Sequence, residues 1–218
     1  MTWQLELADE LRARLTGSTR LEVAGSGTAP TSLDDWSDLD VKVDLGGRPE
    51  PLTLLADLAV WAVTEDRSGD RQVLRSVLRD GRRLDLVVVD GLVTLPPVAP
   101  DNDVRFLAAL AAAKLGRGDQ LIGFHLTLEL LRSCLVQAML LRDRDRGSTV
   151  HRFGSERDAL AGEVAALAGG PLSVTPRPNV VERAVALYAR WREELDPDYR
   201  PDWSGLSALL DRGLGTSL

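Results

Sequence analysis

An α+β chain is what this sequence predicts: a mixed sheet with flanking helices, followed by a helical bundle. Three observations predict it. Up to about residue 100, short β-branched runs alternate with turn residues; beyond it come long Ala-, Leu- and Arg-rich segments of helical period. Leu95-Pro96-Pro97-Val98-Ala99-Pro100 lies between the two textures with the composition of a linker. The expected domains are 1–100 and 101–218.

The elements follow in order. Residues 3–15 have helical spacing, with acid early and arginine late, which suits the helix dipole. Residues 21–24 read as a strand running into Gly25-Ser26-Gly27. Residues 39–45 alternate apolar and polar side chains, giving a second strand. Residues 52–63 read as a helix. Residues 72–78 and 83–89 flank Asp80-Gly81 and form a hairpin, whose second arm, Leu-Asp-Leu-Val-Val-Val, is a buried strand holding one acid. In the second half, 103–115 is a helix ending near Gly116. Residues 120 to about 144 form a long helix, apolar on most sides and therefore expected at the centre of a bundle. Residues 156–167, 180–195 and 204–210 complete it, with prolines 176, 178, 197 and 201 at the breaks.

Composition bounds the function. The chain has 218 residues, 44% apolar and 27% charged, which excludes wholesale disorder and coiled coil. Twenty-six basic residues against 33 acidic ones leave a net charge of -7, the wrong sign for a nucleic-acid partner. The same balance suits a small cationic partner, or serves solubility alone. Cys134 is the single cysteine, so neither an intrachain disulfide nor a cysteine metal cluster exists, and a reducing compartment is expected. The first residues, Met-Thr-Trp-Gln-Leu-Glu, carry acid where a secretory signal needs base. The longest uncharged stretch, 164–176, is too short to span a bilayer. A cytoplasmic protein with no membrane partner is expected; the oligomeric state is left open.

Three acids carry the chemical argument. Asp38 and Asp40 are two apart at the start of a strand, so their side chains leave one face, with Cα atoms about 6.6 Å apart. Carboxylates at that spacing can share divalent cations. Asp85 interrupts an apolar strand, where an unpaired charge would cost several kcal/mol. A metal shared with Asp38 and Asp40 would supply its partner. Gly25 and Ser26 follow a strand, where backbone N–H groups can approach a phosphate, though such pairs also make ordinary turns.

Ala24-Gly25-Ser26, then eleven residues, then Asp38-Leu39-Asp40-Val41, then Leu84-Asp85-Leu86, resembles the nucleotidyltransferase superfamily with its polymerase-beta-like fold. The phrase Asp35-Trp36-Ser37-Asp38-Leu39-Asp40 is similar to the small bacterial enzymes that adenylylate aminoglycosides or lincosamides. The resemblance covers residues 24–86. It implies a nucleotidyltransferase sheet in the first half and two Mg²⁺ ions on Asp38, Asp40 and Asp85. It also implies that Gly25 and Ser26 hold the outer phosphates of a nucleoside triphosphate, ATP or another. A hydroxyl of a small molecule would attack the α-phosphorus in line, and pyrophosphate would leave. The acceptor would be an aminoglycoside-like cation; a protein-modifying or toxin–antitoxin relative and a catalytically idle binding relative stand as alternatives.

Two residues of the second half are further candidates. Lys114 is one of two lysines beside 24 arginines, near the end of a helix. The resemblance offers it as a triphosphate ligand; the alternative is a solvated charge favoured by the helix C-terminus. Glu129 shares a helix face with His125, four residues away. It reads as a base or an anchor for a substrate cation, or as part of a polar pair within the bundle.

Overall fold

The computed structural model describes residues 2–15, 19–25, 33–48, 50–150 and 154–215. Its elements are α1 (Trp3–Arg14), β1 (Arg20–Val23), β2 (Leu39–Asp44), β3 (Val60–Ser68), β4 (Arg71–Leu78), β5 (Arg83–Val89), α2 (Asn102–Gly116), α3 (Gln120–Arg146), α4 (Leu160–Ala168), α5 (Val180–Leu195) and α6 (Ser204–Gly213). A 3₁₀ turn, Glu156–Ala159, leads into α4. The fold is α+β, with a mixed sheet and helices. The chain divides into two compact units, residues 1–109 with 204–218, and residues 110–203; the division falls inside α2.

The first unit is built on a five-stranded sheet in the order β1-β2-β5-β4-β3. Only β2 and β5 run parallel; the other neighbours are antiparallel. The alternation read in residues 39–45 gives β2 one apolar face, Leu39, Val41 and Val43, all buried, and one face bearing Asp40, Lys42 and Asp44. On β5 the matching apolar set is Leu84, Leu86 and Val88. These pack with Leu7 and Leu11 of α1 and with Leu54, Leu55 and Leu58 into one core. Each fully buried leucine contributes about 1.5–3 kcal/mol. Asp80-Gly81 turns the β4–β5 hairpin as expected, and Gly81 takes φ +81° there.

Residues 52–63 do not form the expected helix. Residues 54–57 make a turn, and Val60 opens β3, which pairs antiparallel with β4 around Gly69. Their leucines fit a helical period, but Val60, Trp61 and Val63 are β-formers, and the segment from Val60 pairs with β4. Asn102, the first residue of α2, secures this edge strand by accepting from Val63 N (2.9 Å) and donating to Val63 O (2.8 Å).

The last helix also departs from expectation: α6 belongs to the sheet unit and not to the bundle. Three glycines allow the approach. A Cβ at Gly81 would meet the backbone of Ala208 and Leu209, one at Gly205 the Trp61 indole, and one at Gly213 the Trp36 ring.

In the second unit α3 packs against α4 and α5. Asn179 caps α5, accepting from Val181 N and Glu182 N while Glu182 accepts from Asn179 N. Tyr188 and Trp191 are buried, and Tyr188 meets Trp203 edge to face at 6.3 Å. The expectation that α3 is central holds for one side only. Leu130, Leu131, Cys134 and Leu141 are buried, while Leu121, Leu128, Leu135 and Met139 are exposed. By length and composition α3 could cross a membrane: its most apolar 18 residues have mean hydropathy 1.3, with 33% of them buried.

Candidate functional site

The polar face of the sheet is a lattice written by the strand registers. Asp40 on β2 lies opposite Asp85 on β5, which lies opposite Arg75 on β4. Two residues along, Lys42, Val87 and Val73 form the next row; two further on, Asp44, Val89 and Arg71 form the third. Neighbours within a row are about 4.8 Å apart and rows about 6.6 Å apart. All of these except Asp44 line a concavity of about 600 Å³, together with Ala24 and Gly25. Acids therefore stand at one end, valines form the floor, and Lys42, Arg71 and Arg75 supply the cations.

Gly25 is fitted to this site. Ala24 N donates to Asp40 O at 2.8 Å, which draws the end of β1 onto β2. Gly25 then takes φ +55°, and a Cβ there would fall inside the Asp40 carboxylate. Only glycine allows that approach without strain. Ser26 lies outside the described residues.

Asp38 enters β2 from a locked turn. Ser37, buried, donates to Asp34 Oδ1 (2.8 Å), and Asp34 O accepts from Ser37 N (3.1 Å) and from Gln4 of α1 (2.9 Å). Arg83, also buried, donates to Trp36 O at 2.6 Å and stands 3.5 Å from the Asp38 carboxylate. Arg75 stands 3.4 Å from Asp85.

Burial, reinforced by the Asp38 charge, holds Asp40 above the usual carboxylate range against the pull of Arg83. Asp85 goes further, to about 6, again through burial first and Asp38 second, with Arg75 opposing. A cation between these carboxylates would relieve both desolvation and repulsion. The hard oxygen donors of Asp40 and Asp85 thus suit a divalent ion such as Mg²⁺. Among the described residues, however, no group of three or more His, Cys, Asp or Glu side chains is gathered as a metal site.

Neither a protein-family model nor a curated protein matches the chain. A solved structure does. It is the polymerase core of TRAMP, an RNA surveillance complex, at 14% identity and a TM-score of 0.28. The alignment covers 90% of this chain and 58% of that one, so the chain spans less than two thirds of the length of the structure it matches.

Sequence reasoning placed Asp38, Asp40, Asp85 and Gly25 in the first unit; the structure sets Asp40 opposite Asp85 with Gly25 against it, while Asp38 stands beside Arg83 and does not line the concavity. Lys114 and Glu129 belong to the second unit. Lys114 stands 3.9 Å from Asp119, the residue that caps α3, across the turn that ends α2. Glu129 stands 3.4 Å from Arg132 on the exposed side of α3. Arg75 and Arg83 went unnoticed in the sequence. Folding the hairpin about Asp80 would have set Arg75 opposite Asp85; nothing local marks Arg83.

Proposed function

We propose that this chain is a Mg²⁺-dependent nucleotidyltransferase that moves a nucleoside monophosphate, AMP from ATP by preference, onto a hydroxyl of a small molecule. The observation that carries the reading is the register pair Asp40–Asp85, with Gly25 pressed against Asp40 and Asp38 two residues before it. Asp40 and Asp85, with Asp38, would hold two Mg²⁺ ions. Bound there, the metal would supply charge stabilisation to the entering and leaving oxygens of an in-line displacement. Gly25, and Ser26 after it in the sequence, would offer backbone N–H groups to the outer phosphate oxygens. Arg75 and Lys42 offer further donors to those oxygens from the same face. Lys114 is proposed as a triphosphate ligand, and Glu129 as the base that takes the acceptor's proton or the anchor of its charge.

The net charge of -7 supports an aminoglycoside-like cationic acceptor. The lining of the concavity favours a second reading. Lys42, Arg71 and Arg75 outnumber Asp40 and Asp85 there, which suits a neutral or anionic acceptor with an apolar body over the valines.

The test is incubation with Mg²⁺, each α-labelled nucleotide, and a panel of aminoglycosides, lincosamides, and neutral and anionic sugars. Transfer to a small hydroxyl compound, lost about 100-fold or more in Asp40→Asn and Asp85→Asn, is the expected result. Undiminished transfer in Asp40→Asn would overturn the metal assignment. Label on a protein in cell extract, with none on the panel, would promote a protein-modifying activity.

A further inference from the structure

Seven of the ten large apolar side chains exposed among the described residues lie on α3. They are ordered. Leu121, Leu128 and Leu135 recur every seven residues, and Met139 follows one turn later, so the four form one stripe. Leu121, at the start of the helix, is 89% exposed. Near the other end, Leu135, Ala138, Met139 and Arg142 outline a hollow of about 230 Å³, with Arg157, Asp158 and Ala161 alongside. Those four α3 positions have the i, i+3, i+4, i+7 spacing of a hole that receives a knob from a facing helix.

The protruding leucine and the hollow are about 26 Å apart along one helix. A second copy of α3, running antiparallel, sets each Leu121 into the other's hollow at once. The two-fold axis then passes between Glu129 and Leu130, at the middle of the stripe. Glu129 and Arg132 flank that axis on the exposed side. The acid of each copy therefore lies within one helical turn of the other's arginine, so the pattern is self-complementary in charge as well as shape. A lipid surface would instead have to cover His125, Glu129 and Arg132 in mid-face.

We propose that this protein is a homodimer joined through antiparallel α3 helices, with Leu121 of each copy seated between Leu135, Ala138 and Met139 of the other. The inference is independent of the metal site on the sheet but competes with the role proposed above for Glu129, which the dimer would pair with the other copy's Arg132. Sedimentation equilibrium of the full chain in the micromolar range tests it. The expected mass is twice 23.7 kDa. Leu128→Glu should give a monomer with an unchanged circular dichroism spectrum. Arg132→Glu alone sets four carboxylates around the axis and should weaken dimerisation about ten-fold or more; Glu129→Arg added to it should restore the affinity. A monomeric wild-type protein would overturn the proposal, as would a dimer indifferent to both Leu128→Glu and the charge exchange. So would a monomer that floats with phosphatidylcholine–phosphatidylglycerol vesicles, which would give the face to lipid.

Discussion

Asp40 and Asp85 stand opposite each other on adjacent parallel strands, and Arg75 stands opposite Asp85 on its other side. The row reads acid, acid, base. Asp85 therefore meets a repelling neighbour on one flank and an attracting one on the other, within a partly buried face. Burial wins, helped by the Asp38 charge and to a smaller degree by Asp40, which is why its carboxyl rises to about 6 despite Arg75.

That balance gives stability a pH slope. The folded protein binds the Asp85 proton more tightly than the unfolded chain, whose carboxyl titrates near 3.8. Its contribution to stability is therefore lost as pH rises from about 4 to 6, and stays lost above that window. Asp85→Asn should match wild type below pH 4 and exceed it by about 1–3 kcal/mol above pH 6, by urea unfolding without metal. A constant difference across the series would refute it.

Mg²⁺ should act on the same pair with opposite effect. Millimolar Mg²⁺ is expected to raise the melting temperature of wild type at pH 7.5 by a few degrees, and by less below pH 6, where protons compete. Asp40→Asn should lose most of the response. Thermal scans with Ca²⁺ and with high NaCl separate site binding from general screening.

Gly25→Ala tests the close approach at the end of β1. The substitution meets a strained φ and the Asp40 carboxylate together, so a loss of about 1–3 kcal/mol is expected. Gly69→Ala is the matched control. Gly69 has φ +61°, but open space surrounds it, and only the backbone term of about 1 kcal/mol applies. Equal losses in the two variants would mean that the Asp40 contact contributes nothing.

Arg83→Met should cost about 3 kcal/mol, because it leaves Trp36 O without its donor and Asp38 without its cation. Arg82→Met, on a partly exposed neighbour paired with Asp80, should cost under about 1 kcal/mol. Chemical denaturation of both variants checks the contrast.

Much of the site was readable because its geometry is local. The two-residue period puts Asp38 and Asp40 on one side, and Asp80-Gly81 folds β4 onto β5. The parallel alignment of Asp40 with Asp85 was not readable, since nothing in either strand states its register against a distant partner. Residues 52–63 misled because apolar spacing suits both a helix and a buried strand until the partner strand is known. The destination of α6 was hidden for a similar reason. Its apolar stripe could serve a bundle equally well, and only Gly81, Gly205 and Gly213 distinguish the two outcomes, by what they leave room for.

The return of α6 to the sheet has a consequence for synthesis. The first unit is made of two stretches of chain, with residues 110–203 as an insertion between them. Trp61 and Trp36 gain their covers, Gly205 and Gly213, only when residues 204–213 have emerged. On the ribosome the nascent sheet therefore waits, its tryptophans uncovered, while the inserted helices are free to fold first. A nonsense codon before Ser204 would leave that wait without end, yielding a chain with one finished unit and one open core for proteases to find.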